Sequence, residues 1–349
     1  MSKLPDKETS IRIALPSPSE SDQSDFTSAV EALRTVYGKK RESSTLVPPA
    51  GRPVWDVDIT VIDGKEITTY WYELEDKTPD GKQKLQCVRL VDIPDSVAGA
   101  ILRLERNLPI LSGNPDYEII GDTVQILTDA PKPPVLDDDS EDVTAELALL
   151  PEIAVDPEQH FTKKCKYRSE IHNLLLCQGG VCPGVPKSEH IIPLLGKSAT
   201  GELVFERFTP RYCLVFVYSF ARYKAWILQI IKGLACLHSL GIVHRDLRID
   251  NMVFSSDRSR LYIIDLESRW GNDLAPEIAR EPSLDAGWNE KSDVYDLGFV
   301  IKGMVYGNVP ITSVVQWDVP APLDTIVQAC TQSSPEDRPS LDTLYDMVA

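Results

Sequence analysis

From Val54 onward apolar and polar positions alternate. Val57, Ile59 and Val61 fall on one side, Asp63-Gly64 supplies residues tolerant of positive φ, and Ile67 to Leu74 returns, so the spacing predicts a β-hairpin. LQCVRLV (85–91) reads as a further strand, and SVAGAILRLERNL (96–108) as a helix with Ile101, Leu102, Leu104 and Leu108 at helical spacing. Two short strands around Ile119 and Ile126 complete a small α+β unit over residues 51–130, in which no side chain carries recognisable chemistry. Beyond about residue 144 the pattern turns helical, near Tyr167–Cys177, from about Ala225 to Leu240, and again after Asp293.

Two stretches lack either period. Residues 1–50 are rich in Ser, Pro and charge and read as a disordered tail with one short helix around Phe26 to Tyr37. DAPKPPVLDDDSED (129–142) joins three prolines to an acidic run that repels itself into an extended form, so residues 131–143 read as a solvated interdomain linker.

Composition narrows the class of protein. At 349 residues the chain is long enough for two domains. Asp and Glu number 53 against 36 Lys and Arg, a formal charge of -17, which repels a phosphate backbone, and no basic stripe offsets it; no nucleic-acid partner is expected. Seven cysteines are scattered without CxxC pairs, as in a reducing compartment. The N-terminus has no apolar leader, and the most apolar stretch, Tyr212 to Leu237, is interrupted by Arg222 and Lys224. The expectation is a cytoplasmic or nuclear protein, neither secreted nor membrane-bound.

The chemistry concentrates in His244-Arg245-Asp246-Leu247-Arg248-Ile249-Asp250-Asn251, followed by Asp265 in LYIIDLE. Phosphoryl transfer needs a carboxylate to orient the attacking hydroxyl, a cation near the moving phosphate, and oxygen ligands for Mg²⁺. Asp246 answers to the base, Arg248 to the cation, and Asn251 with Asp265 to the metal ligands.

These residues resemble the catalytic loop HRDLxxxN of the eukaryotic protein-kinase family and the Mg²⁺-binding Asp that follows it. Downstream, Ala275-Pro276-Glu277 is similar to the APE that closes the activation segment, SDVYDLGFVI (Asp293, Gly298) to the central helix of the C-lobe, and SPEDRPSL places Arg338 where the family pairs an arginine with the APE glutamate, here Glu277. Upstream, KYRSEIHNLL resembles the αC helix with Glu170 as its ion-pairing glutamate and Leu174 facing the core. SEHIIPLLG and ELVFERF resemble the fourth and fifth strands, with Phe205 as gatekeeper and the Glu206 carbonyl and Phe208 N–H contacting adenine. The resemblance implies an α+β, bilobal kinase-like fold over residues 144–349, with a small β-rich N-lobe and a helical C-lobe, binding ATP and Mg²⁺ and phosphorylating Ser/Thr hydroxyls of proteins. Residues 51–130 are expected to serve a partner.

The sequence departs from the family in three places. No glycine-rich loop precedes the third strand. The phosphate-binding lysine falls in HFTKKCK, as Lys163 or Lys164; Lys164 is preferred because that register turns the small Thr162 toward adenine. DFG is replaced by Asp265-Leu266-Glu267, and few residues separate Asp265 from Glu277. A pseudokinase interaction module and a small-metabolite kinase are the alternatives that these departures keep open.

Overall fold

The computed structural model describes residues 20–42, 54–62, 65–77, 83–91, 111–120, 123–133, 138–180, 182–272, 274–279, 286–307 and 318–349. It is a mixed α+β chain of two compact units, one formed by Asp139–Val309 and Asp318–Ala349 together with the residues up to Glu31, the other by Ala32–Asp138 with Pro310–Trp317. The boundary falls within helix α1 (Glu20–Glu42).

In the smaller unit β1 (Val54–Ile62), β2 (Lys65–Lys77) and β3 (Gln83–Val91) pair antiparallel, β4 (Tyr117–Ile120) joins β3 in parallel, and β5 (Thr123–Ile126) closes the order β1-β2-β3-β4-β5. The β1–β2 hairpin runs with Ile62 opposite Lys65. Its Asp63-Gly64 turn and the helix expected over 96–108 lie outside the described residues. Aromatic and aliphatic side chains of the central strands (Tyr70, Tyr72, Val88, Leu90, Tyr117, Ile119) form the core, and Thr69, Trp71 and Cys87, which point the other way, are buried as well. Across β3 and β4 the Arg89 guanidinium meets Glu118 at 2.7 Å.

Past residue 138 the larger unit continues with α2 (Thr144–Ala148) and β6 (His160–Lys163), then α3 (Arg168–Cys177), β7 (Leu194–Lys197) and β8 (Leu203–Glu206). The three strands make an antiparallel sheet in the order β6-β8-β7, with Lys163 opposite Leu203. Pro151–Ile153 lies along the outer edge of β7, where Ile153 N–H donates to Lys197 and Lys197 N–H to Pro151. Gly196 allows that approach, since a Cβ there would sit 2.3 Å from the Pro151 carbonyl oxygen.

Helix α4 (Phe220–Ser239) follows, N-capped by Ser219 and buried along Tyr223, Trp226, Ile227, Ile230, Ile231, Leu234 and Leu237, one stripe of a 3.6-residue period. Against it lies the hairpin of β9 (Met252–Phe254) and β10 (Leu261–Ile263). The short helix α5 (Pro276–Ala279) precedes α6 (Glu290–Tyr306), which opens on an Asn289 capping box. Two further helices, α7 (Leu323–Cys330) and α8 (Leu341–Val348), finish the chain. Gly298 lets α6 and α7 touch, because a Cβ there would lie 2.6 Å from Thr331 Cγ2.

The tail expectation needs correction. The helix expected around Phe26 to Tyr37 is present but longer, Glu20–Glu42, and it is not a free tail: Phe26 and Val30, a turn apart, are buried, and the Phe26 ring centroid lies 5.2 Å from that of Phe220 and 5.7 Å from that of Tyr223. The apolar pair supplies the tertiary packing that holds an otherwise polar helix together. The described residues of the linker over 131–143 are mostly exposed, and several of them are held by hydrogen bonds. Pro131 accepts a hydrogen bond from Trp71 Nε1 in the smaller unit, and Asp139–Asp142 are engaged by residues of the larger one. Among the described residues no helix is long and apolar enough to cross a membrane.

Candidate active site

The loop after α4 is fixed from behind. Asp293, in the first turn of α6 and wholly buried, accepts from the backbone N–H groups of His244 (2.8 Å) and Arg245 (2.9 Å), and its Oδ2 also lies 2.8 Å from His238 Nε2. Arg245 sits at φ 71°, a left-handed conformation that a non-glycine residue keeps only when its surroundings impose it. Gly271 backs onto it so closely that a Cβ would be 2.4 Å from its carbonyl oxygen, which also accepts from Asn272 N–H.

This framework delivers Asp246, Arg248 and Asn251 to one place. Asn251 Nδ2 donates to the Asp246 carbonyl at 2.8 Å and to its Oδ2 at 2.9 Å, and Arg248 Nε lies 3.2 Å from the same oxygen. Burial raises the Asp246 pKa above the ordinary carboxylate range and Asp265 adds to this, while Arg248, His244 and Asn251 oppose it. The β9–β10 hairpin brings Asp265 alongside: Ile264 N–H donates to the Asn251 carbonyl, and His244 Nε2 lies 2.9 Å from the Ile264 carbonyl.

A second cluster adjoins Asp265. Lys163 Nζ, at the end of β6, reaches Glu170 Oε1 of α3 at 2.7 Å, Asp265 Oδ1 at 2.5 Å and Glu267 Oε1 at 3.0 Å. An ammonium has three N–H donors, and here each faces a carboxylate. Burial acts to lower the Lys163 pKa, but Glu170 and Asp265 outweigh it and hold the group well above its usual value. Glu170, only 1% exposed, is pushed up to about 7 by burial against the pull of Lys163, and its Oε2 is buried without a hydrogen-bond partner. Helix α3 is tied to the same segment by Ser169 Oγ, donating to the Glu267 carbonyl at 2.6 Å, and by Asn173 Nδ2, donating to that of Leu266 at 2.8 Å.

The ion pair thus belongs to Lys163, whereas Lys164 is exposed, opposite to the preference drawn from Thr162. Successive strand residues face opposite sides, and the β6–β8 register, with His160 opposite Glu206, turns Lys163 toward α3. Glu206 ends β8 exposed. Phe208 lies two residues on, its ring stacked on Tyr262 with centroids 4.3 Å apart; Phe205 is buried in the sheet. Among the described residues no hydrogen bond or ring contact joins Glu206 or Phe208 to the Lys163 cluster. Glu267 stands out in the sequence as the acid that replaces the DFG glycine, whereas no motif marks Ser169 or Asn173. Asn173 carried a signal, being a polar residue three positions after Glu170 on an otherwise apolar helix face.

Farther along, Glu277 and Arg338 form a bidentate pair, with Nη1 to Oε1 at 2.6 Å and Nη2 to Oε2 at 2.7 Å. The Arg338 side chain is fully buried; it also donates to the Gln332 and Lys291 carbonyls and lies over the Tyr295 ring.

No protein-family model matches the chain. Among curated proteins it is similar to a probable LIM domain-containing serine/threonine-protein kinase of Dictyostelium discoideum, 25% identical over 145 residues that make up 34% of this chain and 22% of that protein. It is likewise similar to serine/threonine-protein kinase PLK4 of Nematostella vectensis, 26% identical over 150 residues, 34% of this chain and 15% of that protein. Serine/threonine-protein kinase cds1 of Schizosaccharomyces pombe is 30% identical over 107 residues, 26% of this chain and 23% of that one. The chain spans less than a quarter of the length of these relatives, and over about a third of its own length it has a kinase-like relation to them.

Proposed function

We propose that the chain is an ATP-dependent phosphotransferase of the protein-kinase type, bilobal, moving the γ-phosphate to a Ser or Thr hydroxyl of a protein. The observation that carries this reading is the convergence of Asp246 and Asn251, Asp265, Lys163 and Glu170 from four separate parts of the larger unit. In it, Asp246 orients the acceptor hydroxyl and takes its proton, and Arg248 balances charge beside it.

Asn251 spends its amide nitrogen on Asp246, which leaves its Oδ1 as a hard donor. Together with the Asp265 carboxylate this fits Mg²⁺, which would neutralise phosphate charge when bound. Lys163 would meet the nucleotide phosphates, and since all three of its donors are engaged, a carboxylate has to yield when they arrive. The Glu206 carbonyl and the Phe208 N–H remain our assignment for adenine. The reading carries with it an intracellular location, no nucleic-acid or membrane partner, and a partner protein for residues 51–130.

One observation favours a second reading, a pseudokinase module: residues 138–159, ahead of β6, contain no glycine, so a flexible phosphate-covering loop is missing. A single experiment separates the two. Purified full chain is given labelled ATP, Mg²⁺ and generic protein acceptors, beside Asp246→Asn. The enzyme reading expects turnover by the wild type that falls by about 10² to 10⁴ in the variant, with ATP affinity nearly unchanged. Nucleotide binding without turnover by the wild type would establish the module instead.

A further inference from the structure

We propose that Asp139–Asp142 form a strap that holds the start of α3 against the segment following Asp265, and that Glu141 in this strap is a positioning residue for the Lys163–Glu170 pair. The inference deepens the kinase-type reading above and rests on it only for the catalytic consequence.

The argument starts from a helix end. The α3 N-cap is Tyr167, which cannot cap, and no side chain of the helix's own N-cap supplies the missing acceptor. Glu141 does so from 27 positions upstream: its Oε2 accepts from the Arg168 N–H at 2.8 Å. A carboxylate there also meets the positive end of the helix. Its other oxygen, Oε1, meets Arg269 Nη1 at 2.9 Å. One side chain therefore bridges the first residue of α3 and a residue two positions beyond Glu267.

The neighbours of Glu141 repeat the bridge. Asp139 Oδ2 accepts from Tyr167 Oη at 2.7 Å and from Trp270 Nε1 at 3.0 Å. The Glu141 N–H donates to the Lys166 carbonyl, and the Asp142 carbonyl accepts from Arg168 Nε. Arg269 completes the joint over the Tyr167 ring, 4.9 Å from its centroid. The two walls joined in this way, Tyr167–Glu170 and Asp265–Trp270, supply every carboxylate that engages Lys163. Helix α3 makes its own bonds to this segment through Ser169 and Asn173; the strap fixes the first turn, where Glu170 sits.

The test reads the pair directly, without needing activity. Full-length wild type, Glu141→Ala, Glu141→Gln and Arg269→Ala are compared by amide hydrogen exchange across α3 and by mass-spectrometric measurement of Lys163 acylation with an amine-reactive ester. In Glu141→Ala, exchange in the first turn of α3 and acylation of Lys163 should each rise by about tenfold. Glu141→Gln keeps an acceptor for the Arg168 N–H and should recover most of the protection of α3. Arg269→Ala, which leaves the cap in place, should raise Lys163 acylation with a smaller change in exchange, and it decides the matter should Glu141→Ala fail to fold. Wild-type protection and acylation in both Glu141→Ala and Arg269→Ala would overturn the strap. If the footprints change as expected while the wild type transfers no phosphate, the strap stands and the kinase-type reading falls. If the wild type is active, Glu141→Ala should raise KM for ATP more than it lowers kcat, the mark of a misplaced Lys163 and not of a lost base.

Discussion

Asp296 on α6 is a fully buried carboxyl whose Oδ2 accepts from Asn272 Nδ2 at 3.0 Å while Oδ1 has no partner. Burial, and after it the charge of Asp293 one turn earlier, raises its pKa well above the usual carboxylate value, with Asn272 opposing. In the unfolded chain the group releases its proton near pH 4. Between that value and the raised native one, the folded state alone keeps the proton, so stability falls as pH rises through the window. Asp296→Asn removes the group that titrates and should flatten this loss. Urea midpoints at pH 5 and pH 8 are the check: the wild type should lose stability over that span and the variant should lose less, whereas equal slopes would remove Asp296 as the cause. At this scale the sequence was uneven as a guide. Asp246, Arg248 and Asn251 were legible because one contiguous loop carries them. The choice between Lys163 and Lys164 was not, because adjacent strand residues differ only in phase and a distant pairing sets that phase.

Between elements, the Glu277–Arg338 pair joins α5 to the turn before α8, and its sequence signals, APE and the arginine of SPEDRPSL, lie 61 residues apart. Burial acts to raise the Glu277 pKa, but the guanidinium overrides it and holds the carboxyl low. Removing Arg338 leaves Glu277, which is partly buried, without its counter-charge, a loss that falls between the about 3 to 5 kcal/mol of a fully buried pair and the under about 1 of an exposed one. Arg338→Ala should therefore lower the melting temperature of the larger unit by several degrees. Melting alongside wild type would mean that Arg338, with its charge pair, its carbonyl contacts and its place over the Tyr295 ring, adds no stability to this joint. Motif spacing made this bridge readable. The strap of Asp139–Asp142 was hidden by the same logic, since a run of acids looks solvated until Arg168, Arg269 and Trp270 arrive from far along the chain.

For the molecule as a whole, the division into two units turns on where each core lies, and the sequence pattern showed a helix within α1 but not its packing. Its composition is that of a polar, exposed segment, and two apolar residues a turn apart give little periodic signal. Phe26 nevertheless packs its ring between Phe220 and Tyr223 of α4, so a residue near the chain's start completes the core of the larger unit. Val88, wholly buried among Tyr70, Tyr72 and Tyr117, belongs to the other core. Truncating a buried Phe to Ala costs about 3 to 5 kcal/mol, and a buried Val somewhat less. If each core is its own cooperative unit, unfolding shows two transitions, and each variant moves one of them. Phe26→Ala should lower the transition that also responds to Arg338→Ala, while Val88→Ala lowers the other and leaves the first within about 1 °C. Differential scanning calorimetry of the three variants is the measurement. A single transition that moves with all of them would show that the two cores unfold together and that the small sheet is not an independently folding module.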